Sequence, residues 1–173
     1  FPSKNLGAFG DGGLVSTNDD ALAEKVRVLR AHGSKPKYFH ALIGGNFRLD
    51  ALQASILRVK LPHLPEWTRA RQENAAYYTQ RFEEAGLPAG RLVPPPIVHE
   101  HHVFNQYVIR SDRRDALAKR LSDEQIGHAI YYPRSLHMQD CFAYLGHGEG
   151  SFPESERAAG EVLAIPLFGE LGE

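Results

Sequence analysis

Cysteine, methionine and tryptophan each occur once in this chain of 173 residues, as Cys141, Met138 and Trp67. A single cysteine excludes an internal disulfide and fits a reducing compartment, so a cytoplasmic protein is expected. Charge of one sign is also lacking: the formal net charge is −1. No basic surplus argues for nucleic acid, and none favours an anionic membrane surface. No apolar run approaches the ~18 residues that a membrane span needs. There is no Gly-x-x-x-x-Gly-Lys phosphate loop and no Gly-x-Ser-x-Gly nucleophile elbow. No internal repeat or low-complexity tract breaks the chain. An initiator Met and a signal-peptide pattern are missing too. The chain opens in mid-motif at Phe1, which reads as a truncated, processed or partial product of a longer gene.

Hydrophobic residues make up 42% and charged residues 24%, ordinary values for a globular protein. The length suits one large domain, or a domain plus a fragment, since domains typically hold roughly 100–150 residues. Gly10-Asp11-Gly12-Gly13-Leu14-Val15-Ser16-Thr17 predicts a tight turn feeding a short strand. Asn18-Asp19-Asp20 then supplies a helix cap, Leu22, Val26 and Leu29 follow at helical spacing, and Gly33 is a natural stop. Residues 34–47 read as a loop, long enough to suggest a function. A second helix begins near Leu49 and is broken or kinked at Pro62 and Pro65. A third spans about Glu66 to Glu84, with Trp67, Ala70, Asn74, Tyr77, Tyr78 and Phe82 on or near one face.

After a Pro-rich loop over 86–97 the pattern changes. A strand is expected over Val103–Arg110, a helix over 113–124 capped by Asp112, and a second strand over Gly127–Tyr132. Residues 133–150 read as irregular, with a helical turn near Gln139–Tyr144. Pro153–Leu163 reads as a helix and Ala164–Leu167 as a closing extended piece. Strand, helix, strand and helix in that order suggest a small α/β or α+β unit behind the long third helix.

Several groups could carry chemistry. Lys4 is bracketed by a stiff Phe1-Pro2-Ser3 lead and an Asn5-Leu6-Gly7 exit. A lysine held in a desolvated place can lose its proton and attack a carbonyl to form a Schiff base. By position alone it is one of 20 Lys and Arg residues, and a solvated surface lysine is the ordinary reading. The glycines beside it suit a ligand lying against the backbone, and equally a plain hairpin. In Gly44-Gly45-Asn46-Phe47-Arg48-Leu49-Asp50, Asn46 and Arg48 suit a phosphate or carboxylate just before a helix. Capping by Asn46 and an Arg48–Asp50 surface pair explain the same spacing. His99 and His101 would share a strand face beside His102, but no accompanying metal motif supports ligation, and a solvated polar cluster is the better reading. His137 lies in an aromatic, proline-bearing loop where an imidazole could act on a substrate; a lone histidine is more often structural. The acids of Glu154-Ser155-Glu156 open a helix, so capping accounts for them.

Taken in order, Phe1-Pro2-Ser3-Lys4-Asn5-Leu6-Gly7, Gly10-Asp11-Gly12-Gly13, Thr17-Asn18-Asp19, Arg30-Ala31-His32-Gly33 and Gly45-Asn46-Phe47-Arg48-Leu49-Asp50-Ala51-Leu52-Gln53-Ala54 resemble the DegT/DnrJ/EryC1/StrS family. So do Asn105–Arg110, Tyr132-Pro133 with Leu136-His137-Met138-Gln139, and Phe142–Gly146. Each motif is weak alone; the ordered set spans nearly the whole chain. These are pyridoxal-phosphate-dependent aminotransferases acting on nucleotide-linked keto sugars in amino-sugar, cell-surface polysaccharide or secondary-metabolite biosynthesis.

The resemblance implies an α/β architecture, the C-terminal part of a fold type I (aspartate-aminotransferase-like) transferase. Residues 1–62 would be the end of the large cofactor domain with a dimer-contact loop. Residues 63–173 would be the small domain, opening with a long linking helix. It further implies that Lys4 holds pyridoxal 5'-phosphate as a Schiff base and then serves as general base and acid, with an amino acid, usually glutamate, as donor. Asn46 matches the position that reaches the neighbouring subunit's cofactor phosphate in a homodimer. Arg48, His137, Tyr38 and His40 match or neighbour substrate-side positions. No metal, nucleic acid or membrane is implied. A sugar dehydratase of the family usually has histidine in place of the lysine, and Lys4 speaks against it.

The family's aspartate to the pyridine nitrogen, its phosphate-binding turn and its ring-stacking aromatic all precede the lysine, so they fall outside this sequence. The serine usually found just ahead of Phe-Pro does so too. The chain alone is therefore expected to lack transaminase activity. A regulatory or structural relative on the same scaffold, and a small α/β binding module in which Lys4 is incidental, are the alternatives.

Overall fold

The computed structural model describes residues 1–88 and 90–172; Ala89, in the predicted loop 86–97, and Glu173 lie outside the described residues. The chain divides into two packed units, Phe1–Leu64 and Pro65–Glu173.

The first unit is built from turns and two short helices. Helix α1, Asp20–Leu29, starts where Asp19 Oδ1 accepts the Leu22 N–H at 3.0 Å, with Asp20 adding negative charge to the first turn. It ends at Arg30, and Gly33, at φ +68°, donates its N–H back to the Val28 carbonyl. Residues 31–46 then leave and return as a loop whose ends are tied together. The His32 N–H donates to the Gly45 carbonyl at 2.9 Å, the Gly45 N–H to Leu29 at 3.0 Å, and the Phe47 N–H to Arg30 at 3.0 Å. Helix α2, Ala51–Lys60, is capped by Asp50, whose Oδ1 accepts the Leu52 N–H at 2.7 Å. A 3-10 turn over Leu61–His63 carries Pro62, so the proline ends α2 without unwinding the chain.

Helix α3, Leu64–Glu84, begins two residues before the expected start because Pro65 sits in its first turn, where no intrahelical donor is lost. Its inner face differs from the expected stripe. Ala75 is fully buried, and Tyr78 and Phe82 pack on the core, whereas Tyr77 is exposed. Strand β1, Tyr107–Arg110, pairs antiparallel with β2, Val162–Ile165, in the register Tyr107 to Ile165 and Arg110 to Val162. Alternation turns Tyr107 and Ile109 inward. They meet Leu163, Phe104 and Leu167, and helix α4, Arg114–Asp123, adds Leu117, Ala118 and Leu121 to this core.

Both tyrosine hydroxyls that enter the core are matched. Tyr107 Oη and Thr79 Oγ1 lie 2.8 Å apart, and Tyr78 Oη donates to the Pro166 carbonyl at 3.0 Å. Burial pushes both phenols up from their ordinary range. Arg71 gathers the ends of two segments by donating to the Leu167 carbonyl at 2.7 Å and to Phe104 at 3.1 Å.

Five expected features differ. Leu14-Val15 lies in no strand. The first strand begins at Tyr107 rather than Val103. The helix expected to be capped by Asp112 has no side-chain cap bond from its own N-cap; Ser111 Oγ accepts the Arg113 N–H at 3.1 Å instead. Residues 127–132 form a single bridge, Ala129 to Ala164, rather than a strand. Helix α5, Pro153–Glu161, stops two residues short of Leu163, because Val162 and Leu163 are taken into β2.

Candidate active site

Lys4 lies on an exposed turn closed by its own N–H, which donates to the Phe1 carbonyl at 3.2 Å. Its ammonium makes no hydrogen bond or ion pair among the described residues. The segment after it runs antiparallel along α2. Lys60 Nζ donates to the Gly7 carbonyl, Gln53 Oε1 accepts the Phe9 N–H at 2.8 Å, and Leu49 reaches Gly12. The glycines beside Lys4 therefore make room for α2. At Gly7, which is at φ +63°, a Cβ would stand 2.8 Å from Lys60 Nζ, and at Gly10 it would stand 2.5 Å from Gln53 Nε2.

Asn46 stands at the exit of the loop. Its backbone bridges to Ala31, and its Oδ1 accepts from Arg48 Nε at 3.4 Å. Asp50, not Asn46, caps α2, and Arg48 turns to Asn46 rather than to Asp50. The Asn46 amide nitrogen and the other guanidinium N–H groups of Arg48 form a pair of donors suited to phosphate or carboxylate oxygens.

Elsewhere in the loop, His40 Nδ1 lies 2.9 Å from the His32 carbonyl, which fixes its ring and assigns the proton to that nitrogen. Tyr38 is 78% exposed at φ +76°, held by its N–H to Ser34 Oγ at 3.1 Å, with Lys37 Nζ 4.8 Å from its ring centre.

His137 belongs to the second unit, in a 3-10 turn over Leu136–Met138. Its side chain is only 7% exposed, and Nε2 lies 2.9 Å from Glu156 Oε1. Glu156 also accepts the Gly150 N–H at 2.8 Å and the Phe152 N–H at 3.2 Å. These backbone donors, with His137 behind them, hold its carboxyl below the usual carboxylate range. The acid thus ties down the chain leading into α5, which has no side-chain cap bond from its own N-cap, and anchors His137 at once. The His137 ring lines an open pocket of about 370 Å³ with Leu136, Phe142, Leu145, His147 and Phe152. His102, from the histidine cluster, turns to the backbone, where its Nδ1 accepts the Phe104 N–H at 3.0 Å.

Within the first unit the structure brings Asn46 to Arg48 and ties the Lys4 segment to α2. Gln53, Lys60 and Glu156 were not singled out from the sequence as partners of these residues. Gln53 and Lys60 lie seven residues apart on one face of α2, the only trace of their common task that spacing carries.

The model of the DegT/DnrJ/EryC1/StrS aminotransferase family matches residues 1–173. The chain belongs to this family. Among curated members it is 54% identical to a pleiotropic regulatory protein of Geobacillus stearothermophilus, covering 100% of this chain and 46% of that protein. It is 43% identical to the UDP-N-acetyl-3-dehydro-alpha-D-glucosamine 3-aminotransferase of Acidithiobacillus ferrooxidans, covering 100% and 45%. Among solved structures, DesV of S. venezuelae in complex with a ketimine intermediate matches with a TM-score of 0.93 at 39% identity, over 100% of this chain and 46% of that one. The chain thus spans a little under half the length of these family members. Its fold is mixed α/β, that of the C-terminal part of a fold type I aminotransferase.

Proposed function

We propose that this chain is part of a pyridoxal-phosphate-dependent aminotransferase that moves an amino group from an amino acid, glutamate, to a nucleotide-linked keto sugar. The observation that carries the reading is the match of the family model over residues 1–173, with Lys4 on an exposed turn that its own N–H closes onto the Phe1 carbonyl. A primary amine suits the cofactor's aldehyde, and the Asn46–Arg48 donor pair suits its phosphate. When bound, the cofactor supplies an electron sink that makes the donor's α-hydrogen acidic.

In this reading Lys4 Nζ would hold the cofactor and, once freed by the donor amine, would carry the proton taken from the donor α-carbon. Asn46 donates its amide N–H to the phosphate across a homodimer interface. Arg48, Tyr38 and His40 lie on the substrate side of the first unit, and His137 contributes as the anchored wall of its pocket. Residues 1–62 act as the end of a cofactor domain and 63–173 as a small domain, in a cytoplasmic enzyme.

The test uses the complete protein with pyridoxal 5'-phosphate, borohydride and peptide mass spectrometry. The reduced cofactor is expected on Lys4, and Lys4→Ala is expected to lose both the label and amino transfer to a keto sugar. Label on another lysine, with transfer intact in Lys4→Ala, overturns the reading.

A regulatory role is the second reading, favoured by the 54% identity to a pleiotropic regulatory protein. A chain that takes the label on Lys4 yet transfers no amine from any donor would support it.

A further inference from the structure

The turn at Lys4 is closed by its N–H to the Phe1 carbonyl, and the segment that follows it is tied to side chains from α2. Gln53 and Lys60 are seven residues apart, two helical turns, and so project from one face with an axial separation of about 10 Å. Their targets, the Phe9 N–H and the Gly7 carbonyl, are two residues apart on a segment running the opposite way. One side chain supplies an acceptor and the other a charged donor. The two backbone groups they satisfy are of opposite kind, an N–H and a carbonyl. At Gly7 and Gly10 these side-chain ends come so close to the backbone that a Cβ would make them shift. The same helix begins at Asp50, directly after the Asn46–Arg48 pair. α2 therefore ties the segment after Lys4 through its side chains and follows directly on the donor pair in sequence.

We infer that Gln53 and Lys60 are positioning residues for Lys4: their hydrogen bonds to Phe9 N–H and Gly7 C=O set where the lysine amine stands relative to its reaction partner. The inference rests on the assignment of Lys4 as the cofactor lysine. Displacing a reacting group by about 1 Å can cost on the order of 100-fold in rate without weakening binding. A positioning role therefore predicts a loss in kcat with KM preserved.

The experiment uses the complete protein loaded with pyridoxal 5'-phosphate. In Gln53→Leu and Lys60→Met, kcat is expected to fall roughly 10- to 100-fold with KM for the amino donor within about twofold. Borohydride labelling of Lys4 is expected to slow in parallel. Gln53→Glu, which keeps an acceptor for the Phe9 N–H, and Lys60→Arg, which keeps a charged donor, are expected to recover most of the loss. In the cofactor-free protein, amide exchange at Phe9 is expected to be slow in the parent and faster in Gln53→Leu, with Tyr107–Arg110 unchanged. A kcat within about twofold of the parent in both Gln53→Leu and Lys60→Met overturns the inference. So does a Phe9 amide in the parent that exchanges like an unprotected one, a result that requires no variant to fold. Lys4→Ala separates the two levels. If it keeps amino transfer, the cofactor-lysine assignment fails; if it loses transfer while the α2 variants behave as parent, only the positioning role fails.

Discussion

Residues 65–172 bury Tyr107, Ile109 and Leu163 almost completely, whereas in residues 1–64 the one buried apolar side chain is Ala8. In that first unit Leu14 is 92% exposed and Ile43 99%. Helices α1 and α2 contain no buried residue. The second unit is held mainly by area removed from water, at about 1.5–3 kcal/mol for each large side chain fully buried. The first is held by directed bonds: helix caps, the tied ends of the 31–46 loop, and the α2 side chains on the Lys4 segment. The candidate chemistry at Lys4, Asn46 and Arg48 lies in the unit with almost no burial. Exposed loops carry function because backbone and side chains there stay open to a ligand, and they draw little stability from a core.

The widest separation between the units is expected from Lys4→Ala in the complete protein. Amino transfer should fall at least 10²- to 10⁴-fold, the usual weight of a positioned acid–base group, while the denaturation midpoint of the second unit stays put. A shift in that midpoint would join what the comparison separates.

The reverse experiment is Leu163→Ala, which opens a cavity where the side chain is fully buried. A loss of about 2–5 kcal/mol by urea denaturation is expected. A loss below about 1 kcal/mol would show that the second unit does not rest on this core.

Tyr107→Phe removes only the hydroxyl that meets Thr79, whose Oγ1 keeps its bond to the Ala75 carbonyl. About 0.5–1.5 kcal/mol is expected, as for one net hydrogen bond.

Glu156 adds a pH signature to the second unit. Its carboxyl is lowered in the folded chain, so the stability it contributes is complete above its ordinary value of 4.5 and is lost as pH falls through the lowered one. Glu156→Gln should flatten the acid limb of the stability curve, and an unchanged limb would show that other carboxyls set it. The smallest effect belongs to the first unit: Ile43→Ala should change stability by no more than about 0.5 kcal/mol, because its side chain is already in water.

The helices were the legible part of the fold, since their signals are local. Asp19 caps where acids precede a periodic apolar run, and α3 ends at Glu84, before Gly86 and Pro88. Strands were less legible because pairing is non-local. Nothing in Gly127–Tyr132 says that only Ala129 would find a partner, and Val162-Leu163 read as helix until Ile109 and Arg110 were set opposite them. At the site, the residue types at Lys4, Asn46 and Arg48 stood out by their surroundings. The capping role imagined for Asn46 belongs instead to Asp50, because the Asn46 backbone is engaged with Ala31.

What the sequence by itself determined is membership: ordered motifs from Phe1 to Gly146 point to one family, and the model of that family matches residues 1–173. The presence of a primary amine at position 4 is likewise a matter of covalent structure. Only the tertiary structure decided what ties down the segment after that amine and what His137 bonds to. Gln53 and Lys60 lie 44 and 53 residues from the backbone groups they bind, and Glu156 lies 19 residues from His137. Hydrogen bonds of that separation follow from how helices and loops pack, and short-range periodicity carries no record of them.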